Sequence, residues 1–319
     1  FEKPEGVYLA GLHIDEIVAY VESYQGPRDL RVLDFFSGAS NFMHQARLRS
    51  HTAERYDMRW DPRQNFLRKE GFFLALDLAL QVAPHGFFPG GPRCSLWLRF
   101  MSASINKRSK LSVLGDYKNN IHILEANVMN ENYSILLAIL HTRLVGSMAA
   151  NPGGTWYFEY PAMAFVMSVL GWTTLHTWMK AFNHFSPKPT LLTGSISAIG
   201  QLKKVWSKRH EAEQKQNIGM RLKSMKLDFG RKTAKKTWLK RAKLNKQKAN
   251  NVSYINANGH TCGGSGLRDS GEYTPLFCKS ALCAWEASDK QTGTDMSLRE
   301  FLEAIPCPMR DYKNLCETT

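Results

Sequence analysis

Several things are scarce or missing in this chain of 319 residues. No run of about 18 uncharged apolar residues occurs, so no membrane-spanning helix is expected. No secretory signal is visible and no internal repeat recurs. The six cysteines (Cys94, Cys262, Cys278, Cys283, Cys307 and Cys316) include no CxxC pair. They are expected to be reduced intracellular thiols rather than a disulfide framework. His260, Cys262, Cys278 and Cys283 have a spacing too irregular for a zinc site, and no metal is expected. Acidic residues are also short, with 28 Asp+Glu against 42 Lys+Arg and a net charge of +14. That deficit sits in one place. Residues 201–250 hold 17 basic and 3 acidic residues, which leaves 25 of each sign elsewhere. A basic excess confined to one segment favours a polyanionic partner more than a uniformly high pI would.

What is present reads as alternating helices and strands. The apolar fraction of 43% and the length suit one large α/β domain or two small ones. Residues 14–24 show helical apolar spacing, closed by Gly26-Pro27. Residues 30–36 (LRVLDFF) and 52–57 (TAERYD) predict strands, 69–82 a helix and 85–89 a strand. A long helix is expected over 118–144. Further strands are expected at 155–159 (TWYFE, stopped by Pro161), 173–182 and 189–193. This alternation predicts a mostly parallel sheet with helices on both faces. The expected division is 1–200 as a Rossmann-like domain, 201–251 as a basic helical insertion or linker, and 252–319 as a turn-rich segment packing back on the first domain.

Four stretches are candidates for chemistry. VLDFFSGASN (32–41) is an apolar strand that stops at an acid and enters a small, bend-prone loop. Ligands of parallel sheets bind outside the carboxyl ends of the strands. Gly38 lets backbone approach a ligand, and the next helix start offers N–H groups. Asp57, ending the second strand, could accept bonds from ribose hydroxyls. Spacing alone leans toward an ordinary strand-to-turn corner with a capping serine. GGPRCSLW (90–97) puts Cys94 in a tight Gly/Pro turn beside Arg93, either as a nucleophile or as a structural thiol. WYFEYP (156–161) puts Glu159 at an expected strand end, as a donor to a ring nitrogen or as a solvated terminus. SPKPT (186–190) holds Lys188 between prolines, as an anion contact or a surface lysine.

In their order, DFFSG (34–38), Asp57, GPRC (91–94), FEYP (158–161) and SPKPT resemble the cytosine-5 DNA methyltransferases. The nearest resemblance is to a dinoflagellate-type algal group of methyltransferase-like proteins. These carry VLDLFSGASN, AERYD, EGFLLAL, GPPCSSW, EQP and PKPT in the same order. The resemblance covers most of residues 30–195 and 252–285. It implies a class I methyltransferase fold and S-adenosylmethionine as cofactor. Asp34, Phe36, Ser37, Gly38, Ala39 and Asn41 would line the methionine and ribose end, with Pro92 alongside. Asp57 would hold the ribose, and Asn65 would meet the adenine amine in place of the family's acid. Cys94 would attack C6 of a cytosine and Glu159 would engage N3 of a base taken out of its stack. Arg93 replaces the second proline of the family's PPC turn, and the arginines of its PQxRxR loop are largely missing.

The basic segment supplies the expected nucleic-acid contacts. RKTAKKTWLKRAKLNKQK (231–248) contains nine Lys/Arg and no acid. Arg231, Lys232, Lys235, Lys236, Lys240, Arg241 and Lys243 would neutralise phosphates, with Lys188 a further contact. Trp238 could stack on an unpaired base. Import into the nucleus and a merely solvated face are the other readings of such a run. The partner expected is a nucleic acid, DNA more than RNA, in an intracellular setting, nuclear more than cytoplasmic. The alternative function is a catalytically degenerate relative that binds nucleic acid through 201–250. Oligomeric state is not legible.

Overall fold

The computed structural model describes residues 13–99, 102–184, 188–207, 253–255, 261–263, 272–291 and 293–309. Six strands form one sheet: β1 (Leu30–Phe35), β2 (Ala53–Tyr56), β3 (Val82–Gly90), β4 (Gly146–Pro152), β5 (Thr173–Trp178) and β6 (Pro189–Gly194). Their spatial order is β2-β1-β3-β4-β6-β5. β2, β1, β3 and β4 are parallel neighbours, while β6 runs antiparallel between β4 and β5. The fold is therefore α/β and Rossmann-like, with a mostly parallel sheet. A separate two-stranded ladder pairs Ser253–Ile255 with Thr261–Gly263.

Side-chain alternation divides the core into two layers. Leu33, Phe35, Phe88 and Ala149 point to one face, and Val32, Phe87, Met148 and Ala150 to the other. Helices α1 (Ile14–Ser23), α3 (Lys69–Leu80), α4 (Ile121–Thr142) and α5 (Pro161–Val169) cover the first face. Helix α3 buries Phe72, Ala75, Leu76, Ala79 and Leu80, the stripe that helical spacing requires. Helix α4 is buried on all sides from Asn130 to His141, as befits a central helix. The second face is covered by α2 (Asn41–Arg47) and α6 (Pro275–Glu286). A last helix, α7 (Leu298–Ala304), starts at Ser297 with a reciprocal capping box to Glu300 and adds Phe301 and Leu302 to the first layer. No helix among the described residues is long and apolar enough to cross a membrane.

Two expected elements are corrected. Residues 155–159 are not a strand: Thr155 makes an isolated bridge to Leu98, and Tyr157–Glu159 is one 3-10 turn. The strand is Gly146–Pro152 (GSMAANP), buried at six of its seven positions between β3 and β6. Its small and polar residues lack strand propensity, and burial between two partners overrides that. Pro161 stops nothing. It occupies the first turn of α5, where its missing N–H costs no bond. The strand expected at 173–182 ends at Trp178 and turns into a 3-10 stretch, Met179–Phe182.

Candidate functional site

The chain leaves β1 toward β2 on one side, and β3 pairs on the other, with Phe35 opposite Gly90. This is a topological switch point, the place where a parallel sheet opens a crevice for ligands. The loops after β1 and β3 flank it.

The first loop is closed by its own neighbourhood. Phe36, Gly38 and Ser40 have φ of 53°, 53° and 57°, a left-handed run that reverses the chain. The Asp57 carboxylate accepts the Gly38 N–H at 2.9 Å and the Arg59 N–H at 2.9 Å. The Trp60 indole N–H donates to the Gly38 carbonyl at 3.0 Å, and the Arg55 guanidinium lies 3.8 Å over the Trp60 ring. Ser37 and Ser40 hydroxyls meet at 3.3 Å. Ala39 lies between Gly38 and Ser40 within this turn. Phe36 packs edge-on to Phe66.

Asp34 does not line the crevice. It is buried, and its Oδ2 accepts the Met43 N–H at 3.1 Å, capping the helix start where Ser40 makes no cap. Burial pushes its carboxyl up to about 8, against the pull of the Met43 and Phe42 N–H groups. Asn65 is likewise committed locally, with Oδ1 accepting the Leu67 N–H at 3.2 Å in the loop before α3.

The second loop is held from outside. Pro92 is buried and its carbonyl accepts the Asn151 amide at 3.2 Å; Asn151 also accepts the Thr155 hydroxyl at 3.0 Å. A Cβ on Gly91 would come within 2.7 Å of the Tyr273 ring, and one on Gly90 within 2.1 Å of the Tyr133 hydroxyl. A side chain at either position would have to displace the tyrosine ring it meets. Tyr273 lies across the crevice. The Asn41 amide donates to its carbonyl at 2.7 Å, and its hydroxyl donates to the Ala150 carbonyl at 3.0 Å. Tyr273 thereby links the start of α2, through its carbonyl, to the carboxyl ends of β3 and β4, which its ring and hydroxyl approach. The same loop also borders a shallow cleft toward α4, lined by Arg93, Trp97, His122 and Met129.

Cys94 is half-buried in this loop. Burial pushes its thiol up, while Lys188, its own backbone and Arg93 pull it down. Lys188, expected as a phosphate contact, is instead half-buried with its Nζ 5.1 Å from the centre of the Tyr273 ring. Burial lowers its amine to about 8, opposed by Cys94 and Glu272.

Glu159 is not at a strand end. It closes the 3-10 turn and pairs with Arg99, which also stacks 4.2 Å over Trp156. The strand end beside the Cys94 loop carries Ala150, Asn151 and Pro152. Arg231, Lys232, Lys235, Lys236, Trp238, Lys240, Arg241 and Lys243 lie outside the described residues, as does His260. Cys278 is buried in α6 and Cys283 is half-buried.

Three residues of the crevice were not anticipated: Asn151, Tyr133 and Tyr273. Asn151 has a weak signal as the first residue of the NPGG stretch, 151–154. Tyr133 and Tyr273 reach the site only through the tertiary fold. No protein-family model matches this chain, and no curated protein matches it. The site therefore rests on its own geometry.

Proposed function

We propose that this chain is an S-adenosylmethionine-dependent methyltransferase acting on nucleic acid, DNA more than RNA, with Cys94 as the nucleophile toward a cytosine. The observation that carries the reading is the switch-point crevice, flanked by the Gly38 turn on one side and by Cys94 on the other. The sheet supports it too, because one antiparallel strand slotted between the last two parallel ones is the class I methyltransferase arrangement. The residues present fit the cofactor. The Tyr133 hydroxyl is buried against Gly90, at the crevice floor, and has no hydrogen-bond partner among the described residues. The Asp57 carboxylate keeps lone pairs for ribose hydroxyls after accepting two N–H bonds. Ser37 and Asn41 offer polar groups for the methionine end.

When bound, the cofactor supplies an electrophilic methyl group. The protein's part is positioning and nucleophilic activation. Asp57 and Gly38 set the distance between the β1 and β2 loops. Asn151 holds the Pro92 carbonyl, and with it the turn that presents Cys94. A Cys94 thiolate adding to C6 of a cytosine makes C5 electron-rich and ready to accept the methyl group. Basic residues of 201–250 would bring the polyanion to the site.

A second reading is favoured by one observation. Glu159 is paired with Arg99, and the strand end beside Cys94 has no acid. A chain that keeps the cofactor but has lost transfer to cytosine would look like this. Radiolabelled methyl transfer to cytosine-containing DNA and RNA separates the two. The proposal expects incorporation at cytosine C5, abolished by Cys94→Ser with cofactor binding intact. Full incorporation by that variant excludes the cysteine mechanism. No incorporation by the native chain leaves the second reading.

A further inference from the structure

The loop after β2 presents an aromatic ring that the fold leaves half in water. Between Arg55 and Lys69 the chain holds five basic and two acidic residues, although the chain outside 201–250 is neutral overall. Within that loop Met58 and Trp60 are exposed, Trp60 at 49%. The ring is nonetheless fixed. Its indole N–H donates to the Gly38 carbonyl at 3.0 Å, and the Trp60 backbone N–H donates to the Asp57 carbonyl at 2.9 Å. The Arg55 guanidinium covers one face at 3.8 Å from the ring centre. Among the described residues the ring stacks on no other aromatic side chain, so its open surface is the opposite face. The loop itself is tied down. The Asp57 N–H donates to the Gln64 side-chain carbonyl at 2.7 Å, and the Gln64 N–H donates to the Asp61 carbonyl at 2.9 Å. A held ring with a cation behind it and a bare face in front is pre-organised to stack on a planar partner.

We propose that Trp60 is a stacking platform for an unpaired base, and that Arg59 and Arg63 hold the phosphates of the single strand that carries it. This rests on the nucleic-acid part of the reading above and not on methyl transfer. Stacking is tolerant of sequence, because every base has a π-face. A closed duplex keeps its bases stacked on one another, so the partner is a single strand or an opened stretch. S-adenosylmethionine has a flat adenine too, but it carries a sulfonium cation and no phosphate. An arginine-rich loop gives it no advantage. Trp60 is bonded to Gly38, so a strand stacked there lies beside the crevice that Cys94 flanks from the other side.

The acids of the loop leave its arginines available. Arg63 pairs with Asp61 at 2.8 Å, yet its side chain is 84% exposed. Arg59 lies 3.6 Å from Glu272, and both are partly exposed. Such exposed pairs contribute little, and a phosphate can take the place of the carboxylate. Asp57 is turned inward, with its carboxylate accepting the Gly38 and Arg59 N–H groups.

The test uses the full chain and an oligothymidylate in which one base is replaced by 5-iodouracil. Irradiation joins that base to an aromatic side chain stacked on it, and mass spectrometry of the digested adduct identifies the residue. The adduct is expected on Trp60. Adducts confined to other residues, Trp238 included, overturn the proposal. Anisotropy of a labelled strand supplies the second arm. Trp60→Ala is expected to weaken single-strand binding about tenfold, with duplex binding and salt dependence unchanged. Arg63→Ala is expected to lower the salt slope by about 0.7, the share of one phosphate. Trp60→Phe keeps a ring but loses the N–H on Gly38, and is expected to bind the strand nearly as the native chain does. Equal losses in Trp60→Ala and Trp60→Phe would place the effect in the Gly38 turn and overturn the platform. Native strand affinity in Trp60→Ala overturns it as well, and so does a loss confined to titration with the demethylated cofactor product. Strand binding that ignores Trp60 leaves the nucleic-acid reading standing, whereas a native chain that binds neither strand nor duplex removes both.

Discussion

The two loops at the crevice are built in opposite ways. The loop after β1 is tied to residues close in sequence, since Gly38 bonds Asp57 and Asp34 bonds Met43. The loop after β3 is tied to distant ones, through Asn151 on β4 and through Tyr273 from the C-terminal segment, whose ring also meets Lys188. A locally closed loop holds its shape when its neighbours move. A loop held from outside takes its shape from the whole fold and changes with it. The first suits a cofactor that must meet one geometry. The second suits a nucleophile whose reactivity is set by what surrounds it.

Substitutions that cut each loop's ties should break this contrast in order of size. The largest effect is expected at Asp34. Asp34→Ala leaves the Met43 N–H buried and unpaired, at a cost of about 1–3 kcal/mol, read by urea denaturation. Asp34→Asn keeps an acceptor and should cost less. Asp34 also gives stability a pH dependence. Its folded value of about 8 lies above the unfolded one of 3.8, so the folded chain binds the extra proton between them. Stability from this group is complete below about pH 4 and is lost as pH rises through about 8. Asp34→Asn should flatten that fall. An unchanged slope between pH 5 and 8 would show that Asp34 is ionised in the folded chain.

A smaller effect is expected at Asn151. Asn151→Ala removes the bond to the Pro92 carbonyl, for about 1 kcal/mol of stability. Its sharper consequence is at Cys94, whose rate of alkylation by iodoacetamide should change because the turn is released. Asp34→Asn should leave that rate alone. A Cys94 that responds to both, or to neither, would erase the distinction between the loops.

The same contrast explains what could be read from the chain. The stretches 30–36 and 69–82 and the left-handed corner at Gly38 depend on local spacing, and their residues announce them. β4 was missed because Gly146, Ser147, Ala149, Ala150 and Asn151 carry no strand signal; the flanking strands make it one. That miss displaced the expected strand to Thr155–Glu159 and put Glu159 at a strand end it does not occupy. Pro161 was read as a stop when it starts a helix, although both readings fit a proline at an element boundary. The capping box at Ser297–Glu300 was a legible signal of α7 that went unread. Tyr273 is different in kind. It bonds Asn41 across 232 positions, and no periodicity or motif connects the two. Lys188 stands out between its prolines, but only the antiparallel pairing of β4 and β6 turns it from a surface cation into a half-buried residue against the Tyr273 ring.

The central claim is that the Gly38 turn is a cofactor loop. Calorimetric titration of the full chain with S-adenosylmethionine and with its demethylated product tests it most directly. The account predicts saturable binding of both. Asp57→Ala, which frees the Gly38 N–H, and Gly38→Val, which strains a φ of 53°, should each weaken it about tenfold or more. A folded chain that binds neither compound at concentrations well above micromolar would contradict the account and leave 32–41 as a structural corner.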